Sequence, residues 1–173
     1  MHIMLDLETM GVNADALITT ISAVRFDLKS GQCFEEFETG LNWEEQIEHG
    51  AIIDSSTVQW WLKQSKEAQE TMMRLPQNRI IDVLQEFNGW ITKYIPNIKN
   101  AKLWGNGVTF DNTLLRNLYK RHGVDFVLPY YCDNDVRTLV TLKGINPRDY
   151  EFKGIKHRGI DDCKHQIFYC CEG

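Results

Sequence analysis

The feature that most constrains this chain is a change of period. Three apolar stretches within residues 2–40 read as strands, and beyond residue 54 the repeat becomes helical. "HIMLDLET" is a buried strand, "LITTISAVRFDL" (17–28) is β-branched, "KSG" is a turn, and "QCFEEFETG" (32–40) is a partner strand. In that partner, Cys33 or Phe34, together with Phe37, is expected to face inward. Residues 54–73 predict one helix, capped by Ser56 and Gln59, with Val58, Trp61, Leu62 and Ser65 on one face. From Ile80, apolar residues at i, i+3, i+4 and i+7 predict an amphipathic helix to Tyr94. "AKLWGNG" (101–107) is a short strand and "FDNTLLRNLYKRHG" a helix stopped by Gly123; residues 133–142 and 160–171 form two more helices. A strand hairpin followed by strands alternating with helices gives an α/β domain, a central mixed β-sheet flanked by helices. At 173 residues with no repeat, linker or low-complexity tract, the expectation is a single domain over 1–173.

The first strand contains an anomaly. Ile3, Leu5 and Leu7 share one face, which leaves Asp6 and Glu8 together on the other. Two neighbouring carboxylates repel unless a cation lies between them, and a divalent metal is the usual one. Three further residues are ambiguous singly: Asp111 at a helix start, His157 in "KGIKHRG", and Asp162 in the first turn of the last helix. Asp133, Asp135 and Arg137 read as structural; the alternative for Arg137 is a contact to a phosphate, which no other residue supports.

Taken in order, D-x-E, a helix-start Asp and H-x4-D resemble the DEDDh branch of the DnaQ-like 3′→5′ exonucleases. That branch includes polymerase proofreading domains, RNase T and oligoribonuclease, which share an RNase H-like fold. "TVQWWLKQ" (57–64) and "CDNDVRTL" (132–139) look like a compact bacterial and phage group within it. The group comprises 3′→5′ exoribonucleases and exonuclease VIII-like phage exodeoxyribonucleases. The resemblance implies two divalent ions, Mg²⁺ or Mn²⁺, about 3.5–4 Å apart. Asp6 would bridge them, Glu8 and Asp162 would hold one ion and Asp111 the other, and His157 would act as general base. It also implies a pocket for the terminal nucleotide at Thr9, Met10 and Gly11; the sequence leaves the oligomeric state open, a homodimer included. Trp61 falls on the apolar face of its helix, whereas Trp60 points away and is free to stack on a base.

The expected function is therefore metal-dependent 3′→5′ hydrolysis of single-stranded RNA or 3′ overhangs to nucleoside 5′-monophosphates. RNA is favoured from the likeness to the compact exoribonucleases. The alternatives are a phage exodeoxyribonuclease, a hydrolase of small nucleotides, or a binding module without catalysis. Four carboxylates plus a histidine weigh against the last. Charge allows a nucleic-acid partner: residues 1–86 hold 6 Lys and Arg against 15 Asp and Glu, and residues 87–173 hold 13 against 9. The acidic run at 35–48 reads as a solvated edge and loop. No apolar run is long enough to span a membrane, and five scattered cysteines without C-x-x-C suit reduced thiols in a cytoplasmic setting.

Overall fold

Strand β1 (His2–Thr9) sits near the middle of a mixed six-stranded sheet in the computed structural model, which describes residues 1–172. β2 (Ile18–Phe26) and β3 (Cys33–Leu41) extend it as an antiparallel meander on one side. β5 (Lys102–Gly105) and β6 (Asp133–Asp135) add parallel strands on the other, and β4 (Gln77–Asn78) pairs parallel to the end of β3. The order is β4-β3-β2-β1-β5-β6. The parallel pairs follow from the helical crossovers between these strands, since a tight turn can join only antiparallel neighbours.

Seven α-helices occur among the described residues: α1 (Trp43–Glu48), α2 (Ser55–Trp61), α3 (Lys66–Met73), α4 (Ile80–Tyr94), α5 (Asp111–Arg121), α6 (Val136–Lys143) and α7 (Gly159–Glu172). The alternation in β1 sorts them onto two faces. Ile3, Leu5 and Leu7 meet α4 and α5 in the larger core, while Met4 meets α6 and α7 in the smaller one. α4 buries Ile80, Val83, Leu84, Phe87 and Ile91 at the expected spacing, each contributing roughly 1.5–3 kcal/mol on leaving water.

Several elements differ from the sequence expectation. The helix over 54–73 is two, because Ser65 caps a new one by accepting the Ala68 N–H, and the break leaves Leu62 on the surface. Asp54, not Ser56, caps α2. Residues 133–135 are strand β6 before α6 begins. The acidic run contains a helix, α1, whose Gln46 is buried and holds both backbone polar groups of Ile18. Cys33 and Phe34 lie outside; only Phe37 of that strand's predicted set is buried. The two-residue β4 leaves this end of β3 uncovered, and Phe34 lies beneath the Arg25 guanidinium instead. All five cysteines are free, and no helix of the described residues is long and apolar enough to cross a membrane.

Candidate active site

Opposite faces of the sheet send carboxylates to one point, the C-terminal end of β1. β5 stops at Gly105, paired with Leu5, so β1 runs on beyond its neighbour. The Leu7 N–H therefore lacks a strand partner on that side and donates to Asp111 Oδ1 at 3.2 Å. Asp111 arrives on the first turn of α5, which Leu114, Leu115 and Leu118 bind to the larger core. From the other face, α7 brings Asp162. Its first residue, Gly159, lies against Ser22 and Asp6, and a Cβ there would collide with the Ser22 side chain. This glycine is the close contact that seats α7 against β2.

Asp6, Glu8 and Asp162 consequently offer oxygens within 4.8 Å of one another. Asp111 stands beside them, near enough for its charge to act on Asp6 and Glu8. Glu8 is 9% exposed and Asp111 4%, and among the described residues none of the four forms an ion pair. Burial, followed by the charges of its neighbours, pushes Asp6 well above the usual carboxylate range. Glu8 is raised for the same reasons. Asp111 is pushed up by burial to about 7, against hydrogen bonds from the backbone of Leu7 and Asn106 and the charge of Arg137. Burial raises Asp162 to about 6, opposed by the His157 backbone N–H.

These observations fit a divalent metal. Three hard oxygen donors converge without a cation, and the buried Asp162 Oδ2 has no hydrogen-bond partner. Carboxylate oxygens suit Mg²⁺ or Mn²⁺ better than a thiophilic ion. Sequence reasoning missed Gln166, whose Nε2 donates to Asp6 Oδ1 at 3.1 Å and orients it. Its position one turn after Asp162, on the same face of α7, is the signal that could have found it.

His157 lies just before α7 with φ at 66°, the left-handed region that histidine visits more readily than most residues. Thr71 Oγ1 donates to its carbonyl at 3.0 Å. The ring packs edge-on against Trp60, with centroids 5.0 Å apart, and against Trp61 at 5.7 Å. Burial, then the Lys156 charge, lowers its pKa below the ordinary histidine value, which favours the neutral ring.

A cleft of about 440 Å³ opens beside Glu8, lined in part by Leu7, Thr9, Gly11, Trp60 and Phe110. Trp60 is 43% exposed, whereas Trp61 is buried and donates from Nε1 to the Thr9 carbonyl at 3.0 Å. Met10, expected beside Thr9 and Gly11, turns its side chain into the core with Leu17, Ala51 and Trp61. Met10 follows the end of β1, where the pairing with β2 shifts register, and packs beside Trp61 of α2.

The acid cluster makes a stability prediction. In metal-free protein, a carboxyl whose folded pKa exceeds its unfolded value stabilises fully below the unfolded pKa, and that contribution is lost as pH rises through the folded one. For Asp111 the window runs from about 4 to about 7. Asp111→Asn should therefore melt at a higher temperature than wild type at pH 8 in EDTA, with the gap closing towards pH 4. Thermal denaturation across that range measures it.

A family model, the 3′-5′ exoribonuclease Rv2179c-like domain, matches residues 1–172. No curated protein matches the chain. Among solved structures, the fold is similar to the nuclease domain of 3′hExo, a DEDDh family member bound to rAMP. The TM-score is 0.68 at 12% identity, over 99% of this chain and 90% of that one. It is also similar to E. coli exonuclease I in complex with a dT13 oligonucleotide, with TM-score 0.63 and 14% identity, over 96% of this chain and 39% of that one. A third likeness is to cell-death related nuclease 4, with TM-score 0.57 and 11% identity, over 99% of this chain and 62% of that one. These likenesses establish the RNase H-like fold of DEDDh exonucleases.

Proposed function

The chain belongs to the Rv2179c-like 3′-5′ exoribonuclease domain family, and on that premise we propose that residues 1–173 form one domain that degrades single-stranded RNA from its 3′ end. The products are nucleoside 5′-monophosphates. The observation that carries this reading is the meeting of Asp6, Glu8 and Asp162 within 4.8 Å, with Asp111 alongside, at the head of an apolar cleft.

Asp6, Glu8, Asp111 and Asp162 would hold two divalent ions, Mg²⁺ or Mn²⁺. Bound there, such ions neutralise phosphate charge and make water acidic enough to attack at neutral pH. The chain's own side chains supply the rest. Gln166 fixes Asp6 in one orientation. His157, neutral because of its burial and the Lys156 charge, takes the proton of the attacking water. In its αL position the ring rests on Trp60 and Trp61, so its approach to the phosphate follows occupation of the cleft. The terminal base lies between Trp60 and Phe110, and the sugar meets the strip from Thr9 to Gly11. A cleft of this size admits one unpaired nucleotide, which makes a duplex end a poor substrate.

Trp60→Ala should raise the Michaelis constant, because stacking a base on an aromatic is worth roughly 1–3 kcal/mol. Steady-state kinetics on a short single strand checks it. The substrate preference is tested by digesting sequence-matched RNA and DNA strands in Mg²⁺, in Mn²⁺ and in EDTA. Faster loss of RNA, abolished by EDTA, is expected. Equal or faster loss of DNA would make the protein an exodeoxyribonuclease on the same site.

A further inference from the structure

Beyond the terminal-nucleotide cleft, the acid cluster has a second flank. There a hollow of about 210 Å³ is bordered by Asn106, Lys156, Asp162, Gln166 and Tyr169. Each hollow reaches the acids, one through Glu8 and the other through Asp162. On the exonuclease reading, the second hollow offers a way out for a strand whose last nucleotide fills the first.

Arg137 lies one residue beyond that lining, against Gly107, which follows Asn106. The Asp135 carboxylate ties the preceding loop to α6, accepting the Val108 N–H at 2.9 Å through one oxygen and the Thr138 N–H at 2.9 Å through the other. This brings the Arg137 guanidinium flat against Gly107, the residue after Asn106. Gly107 has φ 123°, and a Cβ there would lie 3.3 Å from Arg137 Cζ, so glycine serves both the turn and the contact. The Gly107 carbonyl in turn accepts the Asp111 N–H at 3.2 Å. Arg137 is nevertheless exposed, and among the described residues its guanidinium forms no ion pair and donates no hydrogen bond. Its charge acts on both Asp111 and Tyr169. Arg116, by contrast, is spent on Asp133 and on the carbonyls of Leu128 and Pro129.

We propose that Arg137 binds the phosphate immediately upstream of the scissile one, making its planar fork the strand-retaining contact for substrates longer than a dinucleotide. The inference rests on the exonuclease reading for the position of the scissile phosphate. A guanidinium pre-seated on backbone loses little freedom on binding and meets a phosphate through two parallel N–H donors. One such contact also explains how an acidic protein holds a polyanion near its own carboxylates.

The test is binding, read apart from catalysis. Fluorescence anisotropy of a 5′-labelled single-stranded oligonucleotide, in Ca²⁺ and over a range of salt, is compared for wild type, Arg137→Ala and Arg137→Lys. Competition by adenosine 5′-monophosphate reports the terminal site alone. Arg137→Ala should weaken oligonucleotide binding roughly tenfold, the scale of one charge-assisted hydrogen bond. It should also lower the salt slope by about 0.7, the value for one phosphate of a single strand. Arg137→Lys should keep the slope and lose part of the affinity, and the mononucleotide should weaken far less than the oligonucleotide. An unchanged slope, or equal weakening of both ligands, would overturn the proposal. Wild type that binds strands but fails to hydrolyse them in Mg²⁺ would defeat the exonuclease reading while leaving the Arg137 result to stand or fall by its slope.

Discussion

Asp6→Asn should lose hydrolysis by more than about 10³-fold, since metal stabilisation of the reacting phosphate is worth several kcal/mol and each 1.36 kcal/mol is a factor of ten. The substitution keeps the side chain's shape and its position opposite Gln166, so the fold is expected to survive. It removes one of three converging charges, and with it the affinity for the divalent ions. Calorimetric titration with Mn²⁺ should show weakened binding in parallel with lost activity. In EDTA the variant should be at least as stable as wild type, because the buried Asp6 charge is repelled by Glu8, Asp111 and Asp162. Near-wild-type activity in this variant would remove Asp6 from the site.

The second large effect belongs to His157. His157→Asn should lower the maximal rate by about 10²–10⁴-fold, with a much smaller effect on the Michaelis constant, as a general base acts in the transition state. Asparagine is the informative replacement because it tolerates the positive φ at this position, whereas alanine adds backbone strain to the loss of the imidazole. The wild-type rate should rise with pH along a limb lying below the ordinary histidine value, as burial and Lys156 lower this pKa and the neutral ring is the active form. The variant should lose that limb. A wild-type rate at saturating substrate, with the limb intact, would leave His157 as a residue that only packs against Trp60 and Trp61.

Short-range order was legible in the sequence wherever one pattern decided the outcome. The alternation in β1 separated Asp6 and Glu8 from Ile3, Leu5 and Leu7, and the periodicity of α4 marked its buried face. The convergence of Asp111 and Asp162 on β1 was not legible in that way. It depends on where β5 ends and on how closely α7 approaches β2, both tertiary facts. The resemblance brought those residues together, and the geometry supplies the physical reason. The split between α2 and α3 was missed because Ser65 looks like one more residue of a helical face until its hydroxyl is seen capping Ala68. Adjacency to Thr9 did not reveal that Met10 turns its side chain into the core beside Trp61. Gln166 escaped because a neutral amide has no motif of its own and gains meaning only from Asp6; Arg137 was named with a phosphate in view, but its seat on Gly107 is a tertiary fact.

The central claim is that a metal-dependent site at the end of β1 removes nucleotides from the 3′ terminus of a single strand. Digestion of a 5′-labelled single-stranded RNA in Mg²⁺ or Mn²⁺, sampled through time on a sequencing gel, tests it most directly. A ladder shortening one nucleotide at a time, with the label lost to a mononucleotide only at the end and no reaction in EDTA, is the predicted result. Immediate release of a labelled mononucleotide, or cleavage of a circular single strand, would contradict it.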